Sequence, residues 1–427
     1  MPIEAAEMLR RVFRSAGIDA VYGAACPPLP VTAVPATVAE TFAVAHQRVH
    51  GTRAAVSVGD GVFTVPGASP SPPRVIELHD GADLPAALAG LASDAAVELR
   101  LSFSLSQPVE DLVPEPAGGD DTWLEPGDDA AAAWRGATKV SVLAGPGVGR
   151  AAAIPGLHDL AAVANLGVLN TWGAKGVFHW RSRHHLATVG LQADDFTLSG
   201  LGEVDLIVAT GLDPDEAPED RWRLAPALVV PPGALAALAE RCQPVSTEIV
   251  VPPLRTRLAG VTQRGWAVER GPLPPTRVTL HYAECLASGG LIAADAGLVG
   301  YWVARTLGTT RLGGVLVPSA PRPGWAAACV AVALLRQPDR PALALIDASD
   351  DRHTALVVDA ARSLGVPVPV EVWDAAGPPL DAEAHRERLR RLMGGGSAAP
   401  PEPQSLATDG SQLLEMIDAA GSIVAWT

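Results

Sequence analysis

Four aspartates late in the chain, Asp347, Asp350, Asp351 and Asp374, have the types and spacing that could do chemistry. Set at adjacent C-terminal strand ends of an open sheet, they would supply the hard oxygen ligands that Mg²⁺ takes. The simpler role for Asp350 and Asp351 is to cap the next helix, where a carboxylate accepts from unpaired amides. Capping is the reading we prefer for this pair. A second candidate is Gly145-Pro146-Gly147-Val148-Gly149, a glycine turn between an apolar strand and an Ala-rich helix. Such a turn can cradle nucleotide phosphates on backbone amides at a helix N-terminus. His184-His185 reads as a loop pair rather than a metal ligand, and Gly59-Asp60-Gly61 as turn chemistry.

The elements that must position these groups fall into three segments, taken as 1–110, 136–255 and 256–427, with an acidic, Gly/Pro-rich linker over 111–135. The first segment predicts a helix over Ala5 to Ala16, a strand near Asp19 to Tyr22, a helix over Thr37 to Val49, and a strand over Ala54 to Val58. A helix near Leu84 to Ala92 and a strand over Val97 to Phe103 complete it. In the second, strands at Lys139 to Ala144, Val168 to Thr171 and Val204 to Thr210 alternate with helices, as parallel strands with crossovers require. Pro-rich passages around Val251 to Pro253 and Gly271 to Pro275 lead into the third. There Gly290 to Asp295, Ala342 to Asp347 and Val368 to Val372 are strands, and Trp325 to Leu335 and Thr354 to Leu364 are helices. An Arg-rich helix over Ala384 to Met393 and a last helix and strand within Gln412 to Trp426 finish the chain. The expected class is α/β, with three Rossmann-like, doubly wound parallel-sheet domains.

With 427 residues, the chain exceeds the size at which one core stops growing. Its 48% hydrophobic content with 4% aromatics suits buried strands and small-residue helices. The net charge is −15, with Lys139 and Lys175 the only lysines and no basic stripe, which argues against nucleic-acid binding. Cys26, Cys242, Cys285 and Cys329 form no CxxC pair, so neither a disulfide framework nor a zinc site is expected. No apolar signal core or 18-residue apolar run is present, so the expected location is cytoplasmic, with no membrane partner.

The run strand, Ala-Gly-Pro-Gly-Val, helix, Leu-Gly-Val-Leu-Asn-Thr and Ala174-Lys175-Gly176, followed by Glu203 to Gly211, resembles the central domain of acetolactate synthase-like thiamine-diphosphate enzymes. Ala294-Asp295-Ala296-Gly297 with Trp302, Pro323-Gly324-Trp325-Ala326-Ala327 and Gln337 to Pro341 are similar to motifs of the family's diphosphate-binding domain. Leu9 to Gly23 and Val97 to Val109 resemble, more loosely, a truncated pyrimidine-binding domain.

The resemblance implies thiamine diphosphate with Mg²⁺ as cofactors, and FAD in the central domain of some relatives. It assigns cofactor-binding positions to Gly297, Gly324, Asp347, Ser349 and Asp350. The family's metal-binding aspartate falls on Ser349, so a metal would need a different site, at Asp350 and Asp374; the catalytic glutamate falls on Ala36, with Glu40 one turn further on as a substitute. Lys175, at the family's Gly-Lys-Gly, reads as a loop charge or domain-interface contact. The motif has changed at several of these positions together. Ala348-Ser349-Asp350 stands for Gly-Asp-Gly, Trp373-Asp374-Ala375 for Asn-Asn, Leu298-Val299 for Gln-His, and Pro323 for the bulky residue that props the cofactor. The expected function is a degenerate, non-catalytic homologue, or a pseudoenzyme acting as a homodimer or tetramer or beside an intact paralogue. The alternatives are an active carboligase or decarboxylase on a 2-oxo acid and a nucleotide-binding module.

Overall fold

The computed structural model describes residues 2–59, 61–67, 72–92, 95–111, 134, 136–245, 248–286, 289–347, 352–393 and 402–426. Two compact units divide the chain, Met1–Asp121 and Thr122–Thr427. The expected linker over 111–135 lies almost wholly outside the described residues.

In the first unit, strands β1 (Ile3–Glu4) and β8 (Pro108–Val109) pair antiparallel. A six-stranded sheet is ordered β3-β2-β4-β5-β7-β6. Its strands are β2 (Ile18–Gly23), β3 (Thr32–Ala33), β4 (Arg53–Gly59), β5 (Val62–Val65), β6 (Arg74–Leu78) and β7 (Val97–Leu101). This sheet is mixed. Residues 60–61 alone separate β4 from β5, too short a link for a crossover, so β5 runs against both β4 and β7. The helix Ala5–Ser15 presents Met8, Leu9, Val12 and Phe13 to a core that includes Phe63 and Leu99. The helix Ala36–His50 stops at left-handed Gly51. The helix expected near Leu84 to Ala92 is a 3₁₀ stretch, Gly81–Ala87, followed by one α turn, Leu88–Leu91.

The second unit holds two all-parallel five-stranded sheets. One is ordered β11-β10-β9-β12-β13, from β9 (Val140–Ala144), β10 (Gly167–Thr171), β11 (His185–Val189), β12 (Leu206–Thr210) and β13 (Ala227–Val229). The other is ordered β15-β14-β16-β17-β18, from β14 (Leu291–Ala294), β15 (Val315–Leu316), β16 (Ala342–Asp347), β17 (Val370–Trp373) and β18 (Gln404–Leu406). Strands β10, β12, β14 and β17 are buried along their whole length, because helices cover both faces. Three expectations change. The helix after the glycine turn is interrupted at Ala152, whose φ is 52°, and resumes as Ile154–Val163. The Pro-rich passages are helix starts, Pro253–Trp266 and Pro275–Cys285, with proline in the first turn where its missing N–H costs nothing. After the helix Gln412–Ala420 the chain makes only an isolated bridge, Ile423 to Gln192, instead of a strand.

One hydrophobic cluster runs through both sheets, from Leu143, Leu169 and Trp172 to Ile292, Trp302 and Leu345. Within it sits a charged clamp. Arg305, on the helix Leu298–Thr306, donates from Nη2 to both Asp195 oxygens at 2.9 and 2.7 Å, with the two side chains 1% and 0% exposed. Its Nη1 donates to the Thr188 carbonyl at 2.9 Å. The Gln192 N–H donates to Asp195 at 3.0 Å, and Tyr301 Oη donates to Gln192 Oε1 at 2.9 Å. Gln192 Nε2 then donates to the carbonyls of Met416 and Gly421 at 2.8 and 2.6 Å. Breaking such a pair leaves a buried charge uncompensated. Asp195→Ala should therefore lower unfolding free energy by about 3–5 kcal/mol, while Asp195→Leu with Arg305→Met should lose less. Urea unfolding of the full chain measures both, and equal losses would contradict this account.

Candidate functional site

In an open parallel sheet, ligands bind at the C-terminal strand ends where the strand order reverses. For the β14–β18 sheet that point lies between β14 and β16. Asp295 follows β14 and Asp347 ends β16. Each carboxylate is used by the fold. Both Asp347 oxygens accept from the Val299 N–H at 3.0 Å, at the start of the helix Leu298–Thr306. Burial raises the Asp347 pKa, and the amides of Val299 and Leu298 partly offset that. Asp295 Oδ1 accepts from the Ala326 N–H at 2.7 Å, at the start of the helix Trp325–Arg336.

The structure thus brings Asp347 and Gly297 together. Gly297 has φ +118°, and a Cβ there would fall 2.5 Å from Asp347 Oδ2, so glycine is what lets the carboxylate reach the helix terminus. Gly324 precedes the other helix with φ +71°. A diphosphate entering this crevice would face two carboxylates and apolar Leu298 and Val299, with the Val299 and Ala326 amides already bonded. The described residues do not fit thiamine diphosphate.

Asp374 follows β17, where it accepts from the Ala376 N–H at 2.9 Å in a local turn. Ser349, Asp350 and Asp351 lie outside the described residues. Among the described residues no group of three or more His, Cys, Asp or Glu could hold a metal ion. Glu40 lies on the exposed face of the helix Ala36–His50, in the first unit. Asp60 of the Gly59-Asp60-Gly61 turn is not described.

The glycine turn after β9 is closed. The Gly147 N–H donates to the Gly211 carbonyl at 2.8 Å, and those of Val148 and Gly149 donate to Gly145 and Pro146. A Cβ on Gly145 would meet the Gly211 oxygen at 2.2 Å, so the glycines serve close chain approach rather than a phosphate cradle. His185 opens β11, with Nε2 3.1 Å from Asn170 Oδ1, and burial first and Lys175 second lower it to about 3, so the ring is neutral.

Sequence reasoning missed two buried groups and a network. Glu216 is fully buried, its Oε2 accepting from the Gly173 N–H at 3.1 Å. Burial, then the charge of Asp213, raises its carboxyl from 4.5 to about 7. Lys175, read as a loop or interface charge, is 6% exposed; burial, then Arg305, lowers it from 10.5 to about 7. Glu371, in β17, accepts from Tyr282 Oη at 2.5 Å and lies 3.1 Å from His385 Nε2 and 2.9 Å from Arg388. The signal for Glu371 was legible: an acid flanked by Val370 and Val372 inside an apolar strand. Glu216 and Lys175 give opposite pH dependences. Ionising Glu216 costs stability, a penalty absent below pH 4.5, growing as pH rises to about 7 and complete above it. Charging Lys175 costs stability below about pH 7, a penalty relieved as pH rises toward 10.5. Glu216→Gln should therefore stabilise above neutrality by up to roughly 3 kcal/mol, and Lys175→Met below it, each gain fading at the opposite extreme. Melting curves across pH test this, and pH-independent gains would contradict it.

Residues 128–228 match the family model described as thiamine pyrophosphate enzyme, central domain. No curated protein matches the chain. The matched stretch contains β9 to β12 and most of β13, so the parallel sheet built around the closed glycine turn is the part of the chain that carries the family signal. What this match supports is the thiamine-diphosphate enzyme superfamily.

Proposed function

We propose that this chain is a thiamine-diphosphate-enzyme homologue, of the acetolactate synthase-like branch, that has kept the α/β framework and given up the cofactor. It works as a non-catalytic subunit, as a homodimer or tetramer or beside an intact paralogue. The observation that carries this reading is the double capping at the β14/β16 crevice. Asp347 and Asp295 each hold the amide of a helix N-terminus, the element that would otherwise receive phosphate oxygens. The closed turn after β9 argues in the same way against FAD or another nucleotide in the central sheet.

Among the described residues no helix is long and apolar enough to cross a membrane. Calorimetric titration of the full chain with thiamine diphosphate and Mg²⁺, with pyruvate consumption followed in parallel, tests the proposal. It predicts no saturable binding below roughly 100 μM and no turnover. Micromolar binding accompanied by pyruvate loss would sink it in favour of an active carboligase or decarboxylase.

A further inference from the structure

Lys175 is a buried amine without a partner. It follows the 3₁₀ turn Trp172–Ala174 beyond β10 and is 6% exposed, and its side chain makes no hydrogen bond or ion pair with any described residue. No carboxylate offsets it, since burial and then the charge of Arg305 are what bring the amine down to about 7. Asp195 is taken up by Arg305, whose Nη2 bonds both of its oxygens. The buried Arg305 Nε–H meets no acceptor in hydrogen-bond geometry, and the Tyr301 hydroxyl beside it donates to Gln192 instead. His185, in neighbouring β11, feels the charges of both Lys175 and Arg255 and stays neutral. The cluster is rich in donors and positive charge and short of acceptors.

Burial without a counter-charge favours the uncharged amine, and an uncharged amine is a nucleophile. With so little of its surface open, it admits a small neutral reactant and shuts out a large one. The product should also be negative, so that it attracts Arg305 where an ammonium repels it. Carbon dioxide meets both conditions. We propose that Lys175 is a site of reversible carbamate formation with carbon dioxide. The amine lone pair forms the N–C bond, one C=O electron pair moves to oxygen, and the nitrogen gives a proton to solvent, so that amine and carbon dioxide yield a carbamate anion and H⁺. The new oxygens place acceptors in a cluster where Arg305 Nε–H has none. An aldehyde or 2-oxo acid would instead give an imine, which is positive when protonated and leaves the repulsion in place. This site is separate from the β14/β16 crevice and does not depend on the fate of the cofactor.

The test places the full chain at neutral pH with ¹³C-bicarbonate and reads the adduct by ¹³C NMR, then traps it as its ethyl ester for peptide mapping. Only two lysines compete for the assignment, Lys175 and the exposed Lys139. A carbamate should form on Lys175, persist in Lys139→Met and be lost in Lys175→Met, while one on the chain's α-amino group survives both and serves as the control. Bicarbonate should also raise the melting temperature above that in chloride of equal ionic strength, because the folded state alone favours the adduct, and Lys175→Met should lose this difference. Mapping is done on the unaltered chain, so the site is read even if Lys175→Met folds poorly. Absence of a carbamate on Lys175, or its appearance on Lys139 instead, would overturn the assignment. So would a melting shift that chloride reproduces.

Discussion

The ion pair between Arg305 and Asp195 is the constraint on which the second unit depends. An arginine this deeply buried stays charged, so a carboxylate must meet it, and that meeting ties the helix after β14 to the segment after β11. Arg305 Nη2, bonded to both Asp195 oxygens, and Nη1, bonded to the Thr188 carbonyl, fix the helix Leu298–Thr306 against β11 and the segment after it. Tyr301, one turn earlier, extends the same restraint to Gln192, and Gln192 ties down the C-terminal helix through two carbonyls. The hydrophobic cluster supplies most of the attraction between the sheets, yet it is non-directional. The polar clamp supplies register.

Because that helix is fixed, its N-terminus is fixed too, at the crevice between β14 and β16. The partial positive charge of a helix N-terminus invites an anion, and this protein supplies its own. Asp347 takes the invitation from one helix and Asp295 from the next. A crevice of this kind can serve a phosphate ligand or serve the fold, and here the hydrogen bonds go to the fold. The same substitution of internal contacts for ligand contacts recurs after β9, where Gly147 gives its amide to Gly211. Two positions that fold-level reasoning marks for ligands are therefore closed by backbone and carboxylate.

Much of this was legible in the residues. Apolar runs such as Leu206 to Thr210 and Ala342 to Asp347 read as buried strands, and Gly211 marked the end of the first. The mixed pairing of the first sheet was not legible, because it is made by the four-residue β5, which runs against both neighbours, while the edge strand β6, with Arg74, Val75 and Glu77 exposed, shows no apolar run. Helices beginning at Pro253 and Pro275 were hidden by their own prolines, which read as joints until their place in the first turn is seen. Asp347 and Asp374 do stand at strand ends, but a sequence gives no directions for side chains, so the capping role of Asp347 was not legible. The burial of Glu216 and Lys175 follows from contacts between segments far apart in the chain, which no local pattern encodes.

The capped helix terminus can be observed directly through the Val299 amide. With ¹⁵N-valine labelling of the full chain, its resonance should lie downfield, as expected of an N–H donating to a carboxylate, and should revert in Asp347→Ala. Saturating thiamine diphosphate and Mg²⁺ should leave it unmoved. A Val299 resonance that shifts progressively with added cofactor would show the amide to be available to phosphate, and would contradict the account.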